Sequence, residues 1–280
     1  MSDRSFPVAR AARVAAAVAI TVTVASCAIS QQQEVQMGGV YATQIDTQLP
    51  MVRDARIVNY VSALGNSLAA VTDTRGLTWH FAVVDSKEVN AFAVPGGWVY
   101  VNRGLIARAQ AMDQLAGVLA HEIGHVTRRH TVQQMQQSQG ATGGLVALCT
   151  LTKVCDSGLG QAAINVSGTA LFAKFSREDE AEADQEGVRT TVKAGIDPRG
   201  IPEMFRLLLK ERQSNPSAVD AFFATHPLEE ARITATTNQI AAGYTAAQLR
   251  VLKVDTYEFQ QMKSRLNALP PSPTPKPVAK

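Results

Sequence analysis

His121-Glu122-Ile123-Gly124-His125 places two imidazoles four residues apart, with a carboxylate beside the first. On a helix, positions i and i+4 share one face, so His121 and His125 could grip a single cation. Glu122 is turned one position away, within reach of a water at that ion but angled off direct ligation. Zn²⁺ suits this chemistry because it lowers the pKa of a bound water and leaves a nearby carboxylate to take the proton. The flanks read as a buried helix: from Val118 to Val126, Glu122 is the sole Asp, Glu, Lys or Arg. Two incidental histidines on a structural helix would be the bland alternative, but HExxH seldom arises by chance in a chain with five histidines.

A catalytic zinc needs a third protein ligand and an open fourth position. The acidic segment Ser176-Arg177-Glu178-Asp179-Glu180-Ala181-Glu182-Ala183-Asp184 is the candidate source. HExxH followed by S-R-x-x-E-x-x-A-D resembles the HtpX and CAAX-prenyl-protease type of zinc metallopeptidase. The resemblance implies that Glu180 is the third ligand beside His121 and His125, with one Zn²⁺ per chain. It also implies that Asp184 stands behind the site. Helix geometry agrees, since Glu180 and Asp184 share a face and Asp184 could orient a ligating histidine. Glu182 is the rival, but it sits about 200° around the helix from Glu180, so both cannot face one ion. Glu178, Asp179, Glu182 and Glu186 also suit an ordinary acidic helix start.

Two further segments extend the resemblance. Asn90-Ala91-Phe92-Ala93-Val94-Pro95-Gly96-Gly97 is similar to the family's N-A-F-x-x-P-G-G strand and turn. Asn90, Ala91, Phe92 and Ala93 would then bind an extended substrate through main-chain bonds. Thr225-His226-Pro227 is similar to the family's T-H-P segment. His226 would face the metal, where it could stabilise an oxyanion or occupy the open position in a resting form. A buried histidine capping the next helix is the alternative. Arg232 reads as structural, and His80 and His130 read as non-ligands. The resemblance spans roughly Gln36 to Ala242. It departs from the membrane-embedded members, because no stretch here is a membrane-spanning helix, and points to the periplasmic and outer-membrane lipoprotein branch.

The elements that must position these residues follow from apolar periodicity. Helices are expected over Glu34–Gln48, Met51–Val71, Gly104–Ala109, Met112–Met135, Ser176–Ala194, Ile201–Gln213 and Leu228–Ala242. Pro50 interrupts the first pair, and Gln133–Gln139 is expected to fray. Leu77–Val84 reads as a strand, and Asn90–Val94 with Trp98–Val101 as two extended segments about a Pro-Gly-Gly turn. Gly143–Leu151 is apolar but too short to span a bilayer. The fold class is therefore α+β and mainly helical, with one small early sheet of three or four strands. The resemblance makes it a zincin-like (gluzincin) domain with that sheet beside the active-site helix. No internal repeat is present.

The N-terminus reads as an address. Arg4, Arg10 and Arg13 precede an uncharged Ala/Val-rich run that closes at Val24-Ala25-Ser26-Cys27. This is the layout of a signal peptide, and small residues before a cysteine resemble a lipobox. Cys27 would be acylated and hold the chain on a membrane without spanning it. By the same resemblance, Ala28 favours the outer membrane of a Gram-negative cell, facing the periplasm. In that oxidising compartment the remaining Cys149 and Cys155 would form a disulfide.

The expected organisation is a signal peptide over 1–26, an acylated cysteine and polar tether over 27–36, and a metallopeptidase domain over 37–245. An extension over 246–269 and a disordered Pro-rich tail over 270–280 follow. The composition is that of an ordinary globular protein, with 46% hydrophobic and 18% charged residues. A net charge of +3, from 27 basic and 24 acidic residues, argues against a nucleic-acid partner. The expected activity is zinc-dependent cleavage of extended or misfolded polypeptides in the cell envelope through a metal-activated water. The alternative is an assembly factor or chaperone serving outer-membrane assembly machinery, with its site latched by His226 under a Gln133–Gln139 lid.

Overall fold

The computed structural model describes residues 29–141, 174–227 and 230–273. The signal peptide, Cys27, Cys149, Cys155, the Gly143–Leu151 run and residues 274–280 of the tail lie outside the described residues. Helix α1 runs Gln31–Gln48 and α2 Ala55–Thr72. The strands are β1 (His80–Val84), β2 (Ala91–Val94) and β3 (Trp98–Asn102), followed by α3 (Arg103–Arg108), α4 (Met112–Arg128) and α5 (His130–Ala141). After the second described segment begins come α6 (Arg177–Lys193), α7 (Gly200–Ser214), α8 (Pro216–Thr225), α9 (Glu230–Gly243), α10 (Ala246–Arg250) and α11 (Tyr257–Asn267).

The sheet has the order β1-β3-β2, with β1 parallel and β2 antiparallel to β3. The β2–β3 turn needs its glycines: Gly96 and Gly97 have φ of 84° and 112°, a region that side chains with a Cβ disfavour. Side chains alternate along each strand. Ala91, Ala93, Val99, Val101, Phe81 and Val83 face the main core, against α2 and α4. Phe92, Val94, Tyr100 and Val84 face the other way, onto Tyr41, Ala42 and Ile45 of α1 and Met135 of α5. Helix α1 is therefore a cover for the outer face of the sheet.

That corrects the expected polar tether. Residues 31–36 are helical, because Ser30 caps the helix and exchanges bonds with Gln33 in a capping box. Glu34 is fully buried. It accepts bonds from Arg75 Nη1 at 2.9 and 3.1 Å, Arg129 Nε at 2.8 Å and the Gly96 N–H at 3.3 Å.

Helix α4 is the axis of the molecule, buried at every residue from Met112 to Val126. Sequence periodicity ran it through to Met135. Instead the chain breaks at Arg129, which adopts the left-handed conformation at φ 62°, and restarts as α5. The Gln133–Gln139 stretch expected to fray is helical. Gly124, between the two motif histidines, lets α6 pack close: a Cβ there would lie 3.1 Å from the Ala183 carbonyl oxygen. Three helices were not anticipated. Pro216 opens α8 at a position where its missing N–H costs nothing. Segments α10 and α11 fall in the stretch read as an extension, yet Leu249, Phe259, Met262 and Leu266 belong to the main core. The tail is also tied at its start, where Arg103 Nη1 donates to the Pro270 carbonyl at 2.6 Å and Ser272 Oγ to Asp85 at 2.7 Å.

Asp113, in the first turn of α4, is buried near Glu203, Asp197 and Asp255. Burial raises its carboxyl, and those neighbouring carboxylates push it further, up to about 7. A folded-state value above the unfolded one means that the fold holds this proton more tightly. The stabilisation is complete below about pH 4 and is lost as pH rises through 7. Asp113→Asn should therefore melt higher than the wild type at pH 8, with the gap narrowing as pH falls and closing near pH 4. Parallel melting curves at every pH would show that Asp113 carries no such linkage.

Candidate metal centre

The site forms where α4, α6 and the end of α8 meet. His121 and His125 project from α4 one turn apart, and their Nε2 atoms lie 3.0 Å from each other. Helix α6 starts at a Ser176 cap with a capping box to Asp179, which sets Glu180 facing α4. Glu180 Oε2 lies 3.5 Å from His121 Nε2, and Oε1 lies 3.5 Å from His125 Nε2. His226, just past α8, brings Nδ1 to 3.0 Å from Glu180 Oε1 and 3.4 Å from His121 Nε2. One donor atom from each of these four buried residues falls within 4.8 Å of every other.

This donor set fits a divalent cation. Three imidazole nitrogens and a carboxylate converge on one point, in the borderline-soft combination that zinc-type ions take. Burial holds the His125 imidazole well below its usual range, against the pull of Glu180, so it presents a neutral lone pair. Burial opposes ionisation of Glu180, but His226, His125 and His121 outweigh it and keep the carboxylate charged. His226 is raised, because the Glu122 and Glu180 carboxylates overcome its burial.

Glu122 is fully buried beside this cluster. Neither of its carboxylate oxygens has a hydrogen-bond partner, and Oε1 lies 3.5 Å from His226 Nε2. A buried carboxylate with no hydrogen bond of its own is costly in a folded chain, so it marks a place where another group is met. Asp184 stands behind His121, with Oδ1 3.0 Å from Nδ1. Burial would raise Asp184, but Arg232 dominates and lowers it. The Arg232 guanidinium forks onto both Asp184 oxygens at 2.7 and 2.8 Å and also touches Glu180. Such bidentate pairing fixes the carboxylate in place.

Two more residues stand at the centre: His130, which is outside the donor cluster as read, and Phe175, which the sequence did not single out. His130 puts Nδ1 at 2.9 Å from His125 Nδ1, and burial lowers it despite nearby Asp179 and Glu182. Phe175 stacks on His125 with ring centroids 4.0 Å apart. The αL break at Arg129 places the first, and no local pattern announces it. Glu182 is half exposed and turned toward His130, away from the donor cluster. The Asn90–Ala93 segment is at the edge of the sheet among the described residues. The Ala91, Phe92 and Ala93 side chains are buried, and Asn90 Oδ1 is buried without a partner. What that edge offers is therefore backbone rather than side chains.

A buried HExxH helix facing an acid on a second helix, with a small sheet alongside, defines a zincin-like metallopeptidase domain. Residues 56–240 match peptidase family M48, and the chain belongs to that family. It is 30% identical over 250 residues to the beta-barrel assembly-enhancing protease of Escherichia coli strain K12, covering 87% of this chain and 50% of that protein. It is 31% identical over 189 residues to the mitochondrial metalloendopeptidase OMA1 of Schizosaccharomyces pombe, covering 67% and 54%. The metalloprotease LoiP of Escherichia coli strain K12 is 30% identical over 178 residues, covering 63% and 66%. The chain thus spans about half the length of the first of these relatives. No helix among the described residues is long and apolar enough to cross a membrane.

Proposed function

We propose that the chain is a zinc-dependent endopeptidase of the cell envelope that cleaves extended or misfolded polypeptides. The observation that carries this reading is the buried His121–His125–Glu180–His226 donor cluster, with the Glu122 carboxylate beside it held by no hydrogen bond. His121, His125 and Glu180 would hold the ion. Zn²⁺ bound there supplies a Lewis acid that polarises the scissile carbonyl and makes water acidic enough to attack it. Glu122 takes a proton from the attacking water and hands it to the leaving amine nitrogen. Asp184, clamped by Arg232, holds His121 in its ligating orientation. The backbone of Asn90 to Ala93 pairs with an extended substrate, which selects for unfolded chain rather than for particular side chains.

The Arg-rich start, apolar run and Cys27 support a lipid-anchored chain on the outer membrane, facing the periplasm. Cys149 and Cys155 would then be paired as a disulfide. A second reading is an assembly factor for outer-membrane proteins with a latched site. It draws on His226, whose Nδ1 sits inside the donor cluster and would compete with substrate or water for a bound ion. Rescue of a deletion strain by Glu122→Gln would favour the assembly role, and failure to rescue would favour the protease.

The first test is zinc content and casein cleavage for the chain from residue 28 onward. One zinc per chain with cleavage is expected in the wild type, and His121→Ala should lose both. A fully metallated, active His121→Ala would refute the ligand set. Stoichiometric zinc without cleavage in the wild type would support the latched form.

A further inference from the structure

Behind His125 stands a second histidine, and we propose that His130 is the positioning residue that holds His125 in its ligating orientation and so sets the affinity of the metal site. The inference rests on the zinc-site reading above.

His125 turns Nε2 into the donor cluster, 3.0 Å from His121 Nε2 and 3.5 Å from Glu180 Oε1. Its Nδ1 faces the opposite way, 2.9 Å from His130 Nδ1, with the two rings at 77°. Two imidazole nitrogens at that distance share one proton in a hydrogen bond. A ligating Nε2 must offer its lone pair, so the His125 proton sits on Nδ1 and His130 Nδ1 accepts it. His130 then carries its own proton on Nε2, which faces Glu182 Oε2 at 3.5 Å and Asp179 Oδ1 at 3.8 Å. The two motif histidines are built alike: Asp184 backs Nδ1 of His121, and His130 backs Nδ1 of His125.

The backbone is bent to make this contact. Five residues along an unbroken helix is a turn of about 140° away from the starting face. The left-handed Arg129 ends α4 and swings His130 back over His125. Positive φ is uncommon for a residue with a side chain, and such conformations concentrate at functional sites. Arg129 is fastened there by its Nε bond to buried Glu34 at 2.8 Å and its backbone N–H bond to the Val126 carbonyl at 3.0 Å. His130 itself is 2% exposed, so an ordinary packing role is the competing account.

Two substitutions separate the accounts. His130→Leu keeps an apolar side chain of similar bulk but removes the acceptor. His130→Asn keeps an acceptor oxygen close to where Nδ1 stood. The zinc dissociation constant, by competition with a chelator, and the visible spectrum of the cobalt-substituted protein are read for both beside the wild type. His130→Leu should bind zinc about 10- to 100-fold more weakly, the usual consequence of losing a partner behind a ligand, and shift the cobalt bands. His130→Asn should recover most of the affinity and the wild-type bands. If His130→Leu fails to fold, judged by thermal melting, His130→Gln replaces it with the same expectation, because its amide reaches the Nε2 position instead. Wild-type affinity and bands in the acceptor-free variant would overturn the proposal, as would equal weakening in the asparagine variant. A wild type that binds no zinc would overturn the zinc reading and this proposal together, whereas a tight wild type with an unaltered leucine variant overturns this proposal alone.

Discussion

Glu122→Gln should keep its zinc and lose cleavage by a factor of about 10² to 10⁴. The magnitude is that of a positioned general base and acid, equivalent to roughly 3 to 5 kcal/mol in the barrier. The metal should stay because Glu122 contributes no atom to the four-residue donor cluster, which His121, His125, Glu180 and His226 complete between them. The fold should stay because glutamine has the same shape and replaces a fully buried carboxylate that makes no hydrogen bond and only a 3.5 Å approach to His226. Melting should therefore be unchanged or slightly raised, a common outcome where a strained catalytic group is neutralised. The decisive measurement is metal content and casein cleavage on one preparation. Full cleavage by a metallated Glu122→Gln would sink the proton-transfer role. Loss of metal and cleavage together would show that Glu122 supports the site rather than the chemistry.

Two kinds of signal made the centre legible: local helix geometry within each segment, and the family resemblance, which alone tied Glu180 and the distant His226 to the histidines of α4. His121 and His125 share a helix face by spacing alone, and Glu180 and Asp184 do the same on α6. The structure brings the two faces together across Gly124, whose missing side chain allows the approach. The hairpin was legible too, because Pro95-Gly96-Gly97 needs the positive φ angles found there. What stayed hidden depends on partners far away in the chain. Arg129 breaks α4 without a glycine, a proline or a change of periodicity to announce it, so His130 read as a non-ligand without a place behind His125. Segment α11 was read only as part of an extension, although Phe259, Met262 and Leu266 have helical spacing and bury in the main core. The start of α1 carried a readable signal, Ser30-x-x-Gln33, but its glutamines resembled a tether.

Glu34 shows what that misreading concealed, and Glu34→Ala is expected to cost about 3 kcal/mol of stability. Its partners lie 41 and 95 residues away, at Arg75 and Arg129, with Gly96 of the hairpin turn completing the set. One carboxylate therefore ties the cover helix, the β2–β3 turn and the end of α4. Removing one member of a buried ion network strands the others, at a typical cost of 3 to 5 kcal/mol. Arg75 and Arg129 keep 17% and 32% of their side chains exposed, so water can recover part of that loss and the lower end applies. For a chain of this size the melting temperature should fall by roughly 6 to 12 °C. Glu34→Gln should fall less, because its amide oxygen can still accept from Gly96 or one arginine while the charge is gone. Arg129 is the residue that turns His130 behind His125, so a folded Glu34→Ala should also bind zinc more weakly than the wild type. A melting temperature within about 2 °C of wild type would mean that α1 is held by its apolar face, Tyr41, Ala42 and Ile45, with Glu34 contributing only its fit.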